Sequence, residues 1–370
     1  MIVTEISVRG AENFMNTDEM QEIYELKKEN EHLRNDVNTI CAALDEIYGT
    51  YGELVKLAQK NMENNFQISN ELRAAKLKID NFKYEISDPR MNGEHFFYPR
   101  FRSNEETICL INDEKKSLAR FGDGEFSLAF HIQRQKFQCL DEKLSERIWQ
   151  ILSGDVPDNL LIGIADNYGS LDKYNDKTAL AIREYMTESV RSMHQQLLNE
   201  TMVYSDAYIT RPYVIYKDVF SDEPRRRFEL LKTIWAKKNI VIVEGAQTRL
   251  GVRNDLFEGC ATIKRIIAPA TDSFSRYKDI LNACIDIAPS ADMFLLAIGP
   301  SSGVLAYDLS IHDIQAIDVG HVDLEYEWFL AGKGERVQVP YKYNNEVQEG
   351  EKVEEIHDVT YEAQIVASFT

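Results

Sequence analysis

The chain has 370 residues, of which 44% are hydrophobic and 28% are charged. This composition is typical of folded globular proteins and argues against wholesale disorder or a fibrous repeat, and the length allows two or three domains. The 61 Asp and Glu residues outnumber the 42 Lys and Arg residues, which gives a formal net charge of −19. Because a field of that sign repels nucleic-acid phosphates, we expect no nucleic-acid partner, and an anionic substrate would need a local basic cluster or a divalent cation.

The sequence carries no recognisable signal for export or membrane insertion. Glu5 lies where a secretion signal would be basic, and no apolar run reaches the ~18 residues that a membrane helix needs. The five cysteines are an odd number and include no Cys-x-x-Cys pair, which argues against a disulfide framework or a zinc cluster. We therefore expect a cytoplasmic protein with reduced thiols and no membrane span.

A long helix is predicted for residues 17–87, after a flexible N-terminus over residues 1–16. Between residues 23 and 86, nineteen positions alternate spacings of three and four residues, and sixteen of them are apolar. That spacing is typical of the heptad seam of a coiled coil. The exceptions are Asn30, Asn61 and Asn65. A single buried Asn such as Asn30 often fixes the register and the number of strands.

Two architectures are compatible with this seam. Gly49 and Gly52 weaken the middle of the helix by roughly 1 kcal/mol each relative to Ala. The helix either pairs as a continuous rod with a second chain or folds back as a hairpin near residues 49–65. Because the heptad phase is kept throughout, we favour the rod and expect a homo-oligomer of two, three or four strands.

An α/β domain is predicted for residues 105–345, after a linker over residues 88–104. Short apolar runs alternate there with amphipathic segments. Strands that alternate with helices predict a mainly parallel, Rossmann-like sheet with helices on both faces. The predicted strands are 117–121, 159–165, 239–244, 264–268, 292–298 and 314–319, and the predicted helices lie near 141–153, 178–199, 224–237, 274–288 and 303–311. Residues 346–370 form an acidic tail with one possible peripheral strand.

Four segments that follow predicted strands are candidates for a site, because ligands of open parallel sheets bind beyond the carboxyl ends of the strands. In the first, residues 120–126, a glycine separates Asp123 from Glu125. Gly122 and Gly124 would let the backbone turn so that both carboxylates face one point, and such a pair suits Mg²⁺ or Mn²⁺. Asp-Gly-Glu alone is weak evidence, and a solvated turn is the alternative.

The second candidate is a loop of small residues before a predicted helix. It contains Gly299, Pro300, Ser301 and Ser302. Free backbone N–H groups and the positive end of the helix dipole suit a phosphate there, although the loop lacks the lysine and the spacing of a P-loop. A plain strand-to-helix turn is the alternative.

The third candidate follows the strand at residues 239–244 and includes Arg249, Arg253 and Asn254. Two arginines four residues apart, in so acidic a protein, could clamp phosphate oxygens. Ordinary surface salt bridges are the alternative.

The fourth candidate, residues 318–328, is rich in ionisable side chains. His321, Asp323, Glu325 and Glu327 lie at the end of a strand and the start of a helix. They could supply a metal ligand, a general base or acceptors for sugar hydroxyls. For any one of them, a carboxylate that merely stabilises the start of the helix is the alternative.

Taken together, four ordered motifs carry a family resemblance. ARFGDGEF, VEG followed by TRLGVRNDLF, LLAIGPSSGVLAYDL and IDVGHVDLEYEWF resemble the GT-D type glycosyltransferases of bacteria, over about residues 105–345. The resemblance implies a Rossmann-like GT-D fold and a nucleotide-sugar donor, usually a UDP-sugar. It also implies a divalent cation, Mn²⁺ or Mg²⁺, held through a DxE motif that Asp123 and Glu125 occupy here.

The resemblance leads us to assign roles in three groups. Asp123 and Glu125 are predicted as metal ligands. The predicted donor-binding residues are Arg120, Gly122, Arg249, Arg253, Asn254, Gly299, Pro300, Ser301, Ser302 and His321. The predicted catalytic residues are Asp323, Glu325 and Glu327, one of which would act as general base if the reaction inverts the anomeric centre, whereas retention would need no such base.

The expected function is therefore metal-dependent transfer of a hexose from a UDP-sugar to a glycan, a lipid-linked acceptor or a glycoprotein. Two alternatives remain at this stage. One is another metal-dependent enzyme that processes nucleotide sugars or phosphates. The other is a coiled-coil interaction protein with an inactive domain of this type.

Overall fold

The computed structural model describes residues 17–86, 96–132 and 138–370. The chain divides into two compact units, Met1–Lys78 and Ile79–Thr370. The predicted flexible N-terminus, residues 1–16, and the first part of the predicted linker lie outside the described residues.

The N-terminal region forms one helix, α1, that runs without a break over Thr17–Ile86. Gly49 and Gly52 lie within it, and a side chain added at either glycine would meet no other atom. The continuous rod is therefore the observed form, and the hairpin alternative is wrong. Pairing of this helix with a second chain stays a prediction.

The second unit is built on a nine-stranded sheet, in which every strand pairs in parallel with its neighbours. The strand order is β1-β4-β3-β2-β8-β7-β5-β6-β9. The strands are β1 Arg100–Phe101, β2 Ser117–Phe121, β3 Leu160–Ile164, β4 Val203–Asp206, β5 Asn239–Gly245, β6 Thr262–Ala268, β7 Met293–Ala297, β8 Ala316–Asp318 and β9 Ile365–Ser368. Strands β3, β7 and β8 are buried along their whole length, as expected for a parallel sheet covered on both faces.

Among the described residues, ten further α-helices connect and cover these strands. They are α2 Asn104–Asp113, α3 Asp123–Ala129, α4 Glu142–Ser153, α5 Asp176–Tyr185, α6 Glu188–Leu197, α7 Glu223–Trp235, α8 Tyr277–Ile287, α9 Ser301–Ile311, α10 Val322–Leu330 and α11 Val359–Gln364. Helix α9 packs against β2 and β8, and it buries Val304, Leu305 and Leu309 completely. Burial of each such side chain contributes about 1.5–3 kcal/mol, so this central helix anchors the core.

The predicted α/β architecture is confirmed, and all six predicted strands are present. The peripheral strand predicted in the tail is also present, as β9 at one edge of the sheet. Strands β1 and β4 were not predicted, because two and four residues without an apolar run leave no periodic signal. The single helix predicted at 178–199 is two helices, since Thr187 caps the start of the second one.

The predicted limits of the domain need correction at both ends. Part of the predicted linker belongs to the sheet, because β1 pairs with β4 and Ser103 caps the first turn of α2. The last turns of α1 also belong to this unit, because Tyr84 is buried in it. The Tyr84 hydroxyl donates to the carbonyl of Asn167, and the guanidinium of Arg191 lies 4.4 Å from the centre of the Tyr84 ring. The predicted acidic tail, 346–370, is not separate, because it supplies β9 to the sheet.

The strand order creates a crevice near the middle of the sheet. The chain proceeds from β2 to β3 on one side, whereas β8 pairs with β2 on the other. At such a reversal, the loops after neighbouring strands diverge and leave room for a ligand. Among the described helices, none combines the length and apolarity that a membrane span requires.

Candidate active site

A cleft of about 1540 Å³ lies at the carboxyl edge of the sheet, where the loops after β2, β3, β4, β5, β7 and β8 meet. It brings together many of the residues that the sequence singled out. Those that line it are Arg120, Gly122, Asp123, Glu125, Gly299, Pro300, Ser302, His321 and Asp323. Ser301, Glu325, Glu327, Arg249, Arg253 and Asn254 do not line it.

The carboxylate pair lies directly after β2, at the first turn of α3. Asp123 is exposed in the cleft, and its side chain makes no hydrogen bond or ion pair with any described residue. Glu125 turns back to the start of its own helix, and its Oε2 accepts a hydrogen bond of 2.7 Å from the N–H of Gly122. Burial, with the neighbouring Asp123 charge, raises the pKa of Glu125 to about 7. Asp123 thus presents a free carboxylate, and Glu125 has one oxygen already engaged.

A divalent cation fits this arrangement when it binds together with a phosphate. Within residues 17–86, 96–132 and 138–370, no three His, Cys, Asp or Glu side chains cluster tightly enough to hold a metal ion by themselves. Mg²⁺ is usually bound by one or two carboxylates, with substrate phosphates and water supplying the remaining ligands. The unpartnered Asp123 carboxylate suits that mode of binding, and the free oxygen of Glu125 lies two residues away in the chain.

Arg120 braces the floor of the cleft. Its Nε and Nη2 donate to the backbone carbonyl and the Oδ1 of Asp318, at 2.8 and 2.7 Å, and its Nη1 donates to the carbonyl of Ala207 at 3.0 Å. Gly320 (φ +46°) permits this packing, because a Cβ at that position would lie 2.0 Å from Nη2 of Arg120. The guanidinium of Arg120 joins β2, β8 and the turn after β4, and its direct contact with the donor stays a prediction.

The small-residue loop after β7 reaches the cleft as predicted. Gly299 adopts a left-handed conformation (φ +62°), and the hydroxyl of Ser302 accepts a hydrogen bond of 2.9 Å from the N–H of Ile298. These residues lie at the start of α9, where backbone N–H groups and the helix dipole favour an anion. Ser301 is the exception: it is completely buried, and its hydroxyl accepts a hydrogen bond from that of Ser273 at 3.0 Å. Its contact with the donor stays a prediction.

A basic cluster forms the opposite wall of the cleft, and we define it as Arg211, His321 and Arg336 around the carboxylate of Glu346. Arg211 donates to both oxygens of Glu346, one of them at 3.1 Å, and Nε of Arg336 lies 3.1 Å from Oε2 of Glu346. Burial alone would raise the pKa of Glu346, but Arg211, His321 and Arg336 hold it well below its usual range. A carboxylate therefore occupies a position that suits an anion.

His321 completes this cluster as a neutral side chain. Nη2 of Arg211 lies 2.9 Å from Nδ1 of His321, and because a guanidinium can only donate, Nδ1 accepts and the ring proton lies on Nε2. Burial in the cleft wall lowers the pKa of His321 to about 4, and the charges of Arg211 and Arg120 act in the same direction. At neutral pH the His321 ring offers an Nε2–H donor and carries no charge.

Two of the three predicted catalytic carboxylates are consumed by a buried ion-pair network. Asp323 accepts at Oδ1 from the N–H of Gly251 (2.9 Å) and from Nδ2 of Asn254 (2.8 Å), and at Oδ2 from the Lys342 ammonium (2.6 Å). Glu327 accepts at Oε1 from Asn254 and Lys342, at 2.7 and 2.8 Å. Lys342 is fully buried, so this network joins α10 to the segment after it. These contacts already occupy oxygens of both carboxylates, and the role of Asp323 and Glu327 as general bases stays a prediction.

Glu325 is also withdrawn from the cleft. Its side chain is completely buried, and its Oε2 accepts from the backbone N–H groups of Tyr213 and Val214 at 3.2 and 2.9 Å. Its Oε1 makes no hydrogen bond and lies 3.8 Å from Nη1 of Arg211. Burial raises the pKa of Glu325 to about 7. Glu325 thus supports the turn that carries Arg211 and does not line the cleft, and its catalytic role stays a prediction.

The third predicted segment reaches the cleft through Thr248 and Leu250, whereas Arg249, Arg253 and Asn254 do not line it. Nη1 of Arg249 donates to the carbonyls of Tyr341 and Glu354, both at 2.8 Å, and the guanidinium of Arg253 lies 5.0 Å from the centre of the Tyr341 ring. Nδ2 of Asn254 is held by the buried network already described. Arg249 and Arg253 thus contact the C-terminal segment, and a contact of these three residues with the donor stays a prediction.

Sequence reasoning missed Arg211, Arg336 and Glu346. Arg211 follows β4, and the rule that ligands bind after parallel strands would have found it if that short strand, VYSD, had been recognised. Arg336 lies after α10, and Glu346 is the first residue of the predicted tail. No periodic pattern marks either position.

Comparison with known proteins places this cleft in context. A family model described as "Glycosyltransferase GT-D fold" matches residues 118–347. The glycosyltransferase GlyD of Streptococcus pneumoniae serotype 4 is 33% identical over 264 residues, which cover 71% of this chain and 32% of that protein. A probable glycosyl transferase, Gly, of Streptococcus gordonii is 30% identical over 266 residues, which cover 72% of this chain and 38% of that protein. The chain thus spans about a third of the length of these curated relatives.

Solved structures show the same fold. A new glycosyltransferase (DUF1792) from Streptococcus sanguinis superposes with a TM-score of 0.68 at 30% sequence identity, covering 74% of this chain and all of that one. A second structure, described as a highly conserved domain of unknown function 1792 with a distinct glycosyltransferase fold, has a TM-score of 0.68 at 33% identity and covers 73% of this chain and 95% of its own.

Proposed function

The chain belongs to the family of glycosyltransferases with the GT-D fold, and from that premise we propose that it transfers a hexose from a nucleotide sugar, a UDP-sugar, to a glycan, lipid-linked or glycoprotein acceptor in a reaction that depends on Mn²⁺ or Mg²⁺. One observation carries the proposal. The unpartnered carboxylate of Asp123 shares a cleft with the small-residue loop at the start of α9 and with the basic cluster. Carboxylate, backbone N–H groups and guanidinium are the groups that a diphosphate and its cation require.

The loop at the start of α9 would bind the donor diphosphate through its backbone. Gly299 and Pro300 line the cleft, and a helix start carries partial positive charge from its free N–H groups. These N–H groups are already oriented before the nucleotide sugar binds. They therefore stabilise the negative charge that grows on the leaving diphosphate without rearrangement.

Asp123 would hold the cation, with Glu125 beside it in the first turn of α3. When bound, Mn²⁺ or Mg²⁺ would neutralise charge on the diphosphate and improve it as a leaving group. The hydrogen bond from Gly122 to Glu125 fixes the turn from which Asp123 projects. Because Arg120 ties the end of β2 to β8, the position of this turn relative to the α9 loop is also fixed.

The basic cluster would complete the donor site. Arg211 and Arg336 are paired with Glu346, so an incoming diphosphate would compete with that carboxylate for the same guanidinium groups. The neutral His321 offers an additional N–H donor at this wall. We do not assign removal of the acceptor proton to Asp323, Glu325 or Glu327. Asp323 and Glu327 are paired with Lys342, and Glu325 is completely buried.

The cytoplasm is the compartment that we propose for this activity. All five cysteines lie among the described residues as free thiols, two of them at least half-shielded from solvent. Free thiols in this number are typical of a reducing compartment.

Calorimetric titration of UDP into the purified protein, with and without Mn²⁺, tests the donor site. We expect metal-dependent binding by the wild type that is lost in Asp123→Ala. Asp286→Ala is the matched control, because Asp286 is exposed on α8 and does not line the cleft. Equal binding by both variants, or no binding by folded wild type, would contradict the proposal.

Product analysis distinguishes transfer from hydrolysis. With a UDP-sugar as donor, mass spectrometry of the products should show the sugar attached to an added acceptor glycan. Release of free sugar that no acceptor diverts would instead favour a nucleotide-sugar hydrolase built on the same site.

A further inference from the structure

One face of α1 is apolar and uncovered within the first unit. We call it the seam: the positions, alternately three and four residues apart, from Ile23 to Ala75. Its large apolar side chains are exposed, with Leu33, Ile40 and Leu54 between 57% and 60% accessible. A contiguous apolar stripe of this length on a soluble helix marks a surface that packs against a partner.

We propose that the seam binds the seam of a second copy of this chain, with the two helices parallel and in register. In heptad notation, Ile23, Asn30 and Val37 are a positions, and Leu26 and Leu33 are d positions. Three features of α1 support this arrangement: the charged residues that flank the seam, Asn30, and the branching of the apolar residues around it. All three are independent of the proposed function.

The flanking charges favour a parallel pair. In a parallel, in-register coiled coil, a g residue of one helix faces the e residue five positions later in the other. The acidic g residues Glu22, Glu29 and Glu71 are followed, five positions later, by the basic e residues Lys27, Arg34 and Lys76. These three facing pairs are of opposite charge, and symmetry forms each of them twice. The next pair along the helix, Lys78 with Lys83, is of like charge, so opposite charges outnumber like charges three to one.

The same charges disfavour an antiparallel pair. There, g residues face g residues and e residues face e residues, so the basic e residues near one end of the helix, Lys27 and Arg34, would approach Lys76 of the other copy. Facing charges of like sign are destabilising. A pair with this distribution of charge is complementary only when both copies point the same way.

Asn30 adds a constraint on register. In the parallel, in-register pair, Asn30 meets Asn30 of the second copy, and the two amides can hydrogen-bond to each other. In a parallel pair shifted by one heptad, or in an antiparallel pair that overlaps over its whole length, it would face an apolar position and leave a buried amide unsatisfied. The amide therefore penalises the alternatives.

The residues around Asn30 favour two strands. β-Branched residues at a, with Leu at d, pack best in parallel dimers, and a single Asn at a acts in the same direction. Ile23 and Val37 flank Asn30 at a, and Leu26 and Leu33 occupy d. The first heptads of the seam thus favour a dimer, whereas Leu44 at a, with Ile40 and Ile47 at d, has the branching of higher oligomers, so the proposed dimer rests on the first heptads and on Asn30.

Thiol cross-linking of the full chain tests orientation and register. In a Cys41→Ser background, Leu33→Cys places the two introduced thiols opposite each other across the seam, within the range of a disulfide. We expect a covalent dimer on mild oxidation. Asn35→Cys, two residues away on the outer face of the helix, is the matched control and should give no more cross-linking than Cys41→Ser alone. A Leu33→Cys variant that stays monomeric, or equal cross-linking of both variants, would overturn the parallel in-register pair.

Charge reversal tests the same pair without introduced thiols. Sedimentation of the full chain should show a dimer, and a variant with Glu22→Lys, Glu29→Lys and Glu71→Lys should have a dimer Kd raised about 100-fold at low salt. The reciprocal variant, with Lys27→Glu, Arg34→Glu and Lys76→Glu, should be equally weakened, and mixing the two should restore association. A monomeric or trimeric wild type, or a variant that dimerises undiminished, would overturn the proposal. UDP binding by each variant is measured separately, so failure of this pairing is distinguishable from failure of the proposed function.

Discussion

The carboxylate of Glu346 accepts hydrogen bonds at both oxygens from the guanidinium of Arg211. This ion pair connects the turn after β4 to a segment more than a hundred residues later in the chain. It also places a negative side chain where an anionic donor would bind, which makes Glu346 the natural competitor of that donor.

Replacement of Glu346 by Gln should therefore strengthen UDP binding. A neutral amide pairs more weakly with Arg211 and Arg336, so both guanidinium groups become available to the diphosphate, and we expect the Kd to fall by about three- to tenfold. Calorimetry in the presence of Mn²⁺ measures the change. Glu355→Gln, which is exposed and does not line the cleft, should leave the Kd unchanged. A weaker affinity in Glu346→Gln would indicate that Glu346 positions the arginines instead.

Replacement of Gly320 by Ala should destabilise the domain by about 2–4 kcal/mol. The added Cβ would lie 2.0 Å from Nη2 of Arg120 and would displace the bond to Asp318. Gly332→Ala is the matched control, because Gly332 is also left-handed (φ +63°) but has nothing within 4 Å, so only backbone strain of about 1 kcal/mol is expected. Urea denaturation of both variants gives the comparison, and equal losses would contradict the assigned contact.

Replacement of Lys342 by Met should cost about 3–5 kcal/mol of stability, because it leaves the buried carboxylates of Asp323 and Glu327 without their cation. Lys352→Met removes a similar ion pair, to Glu349, but one that is largely exposed and contributes little. Thermal denaturation distinguishes the two. If both variants have the melting temperature of the wild type, the network does not stabilise the domain, and the predicted catalytic role of Asp323 is supported.

The buried imidazole of His194 should make stability depend on pH. Its Nδ1 and Nε2 lie 2.7 and 3.1 Å from the hydroxyls of Tyr168 and Tyr185. Burial, with the charge of Arg191, lowers the pKa of His194 to about 3. The unfolded chain, in which a His has a pKa of about 6.5, binds the proton first, so the free energy of unfolding falls as the pH drops from about 6.5 towards 3.

Between pH 7 and pH 5 this effect amounts to about 2 kcal/mol. His194→Gln should flatten the pH profile of stability by that amount, whereas His357→Gln, at a fully exposed position, should not change its slope. Denaturant titrations at the two pH values check the difference. If His194→Gln keeps the wild-type slope of the free energy of unfolding against pH, then other groups cause the pH dependence.

Much of the fold could be predicted from the sequence because its signals are local. The runs SLARF and NIVIVE have the length and apolarity of buried strands, and α1 keeps one heptad phase throughout. The Asp123 turn and the loop at Gly299 were also found, since both directly follow strands at the edge where ligands of parallel sheets bind. Periodicity and chain order were sufficient for these features.

The roles of the ionisable residues were decided by tertiary structure alone. In sequence, Asp123, Asp323, Glu325 and Glu327 all resemble carboxylates of a functional site, with a solvated turn or a helix start as the alternative for each. Their partners come from far along the chain: Tyr213 and Val214 bind Glu325, and Gly251 binds Asp323. A carboxylate can bind a metal or take part in catalysis only if no such partner already hydrogen-bonds to it. A local sequence pattern does not indicate which distant residue will be that partner. The sequence by itself therefore determined the helix, the strands and the edge that carries the cleft, and only the packing of distant segments decided which charges that cleft exposes.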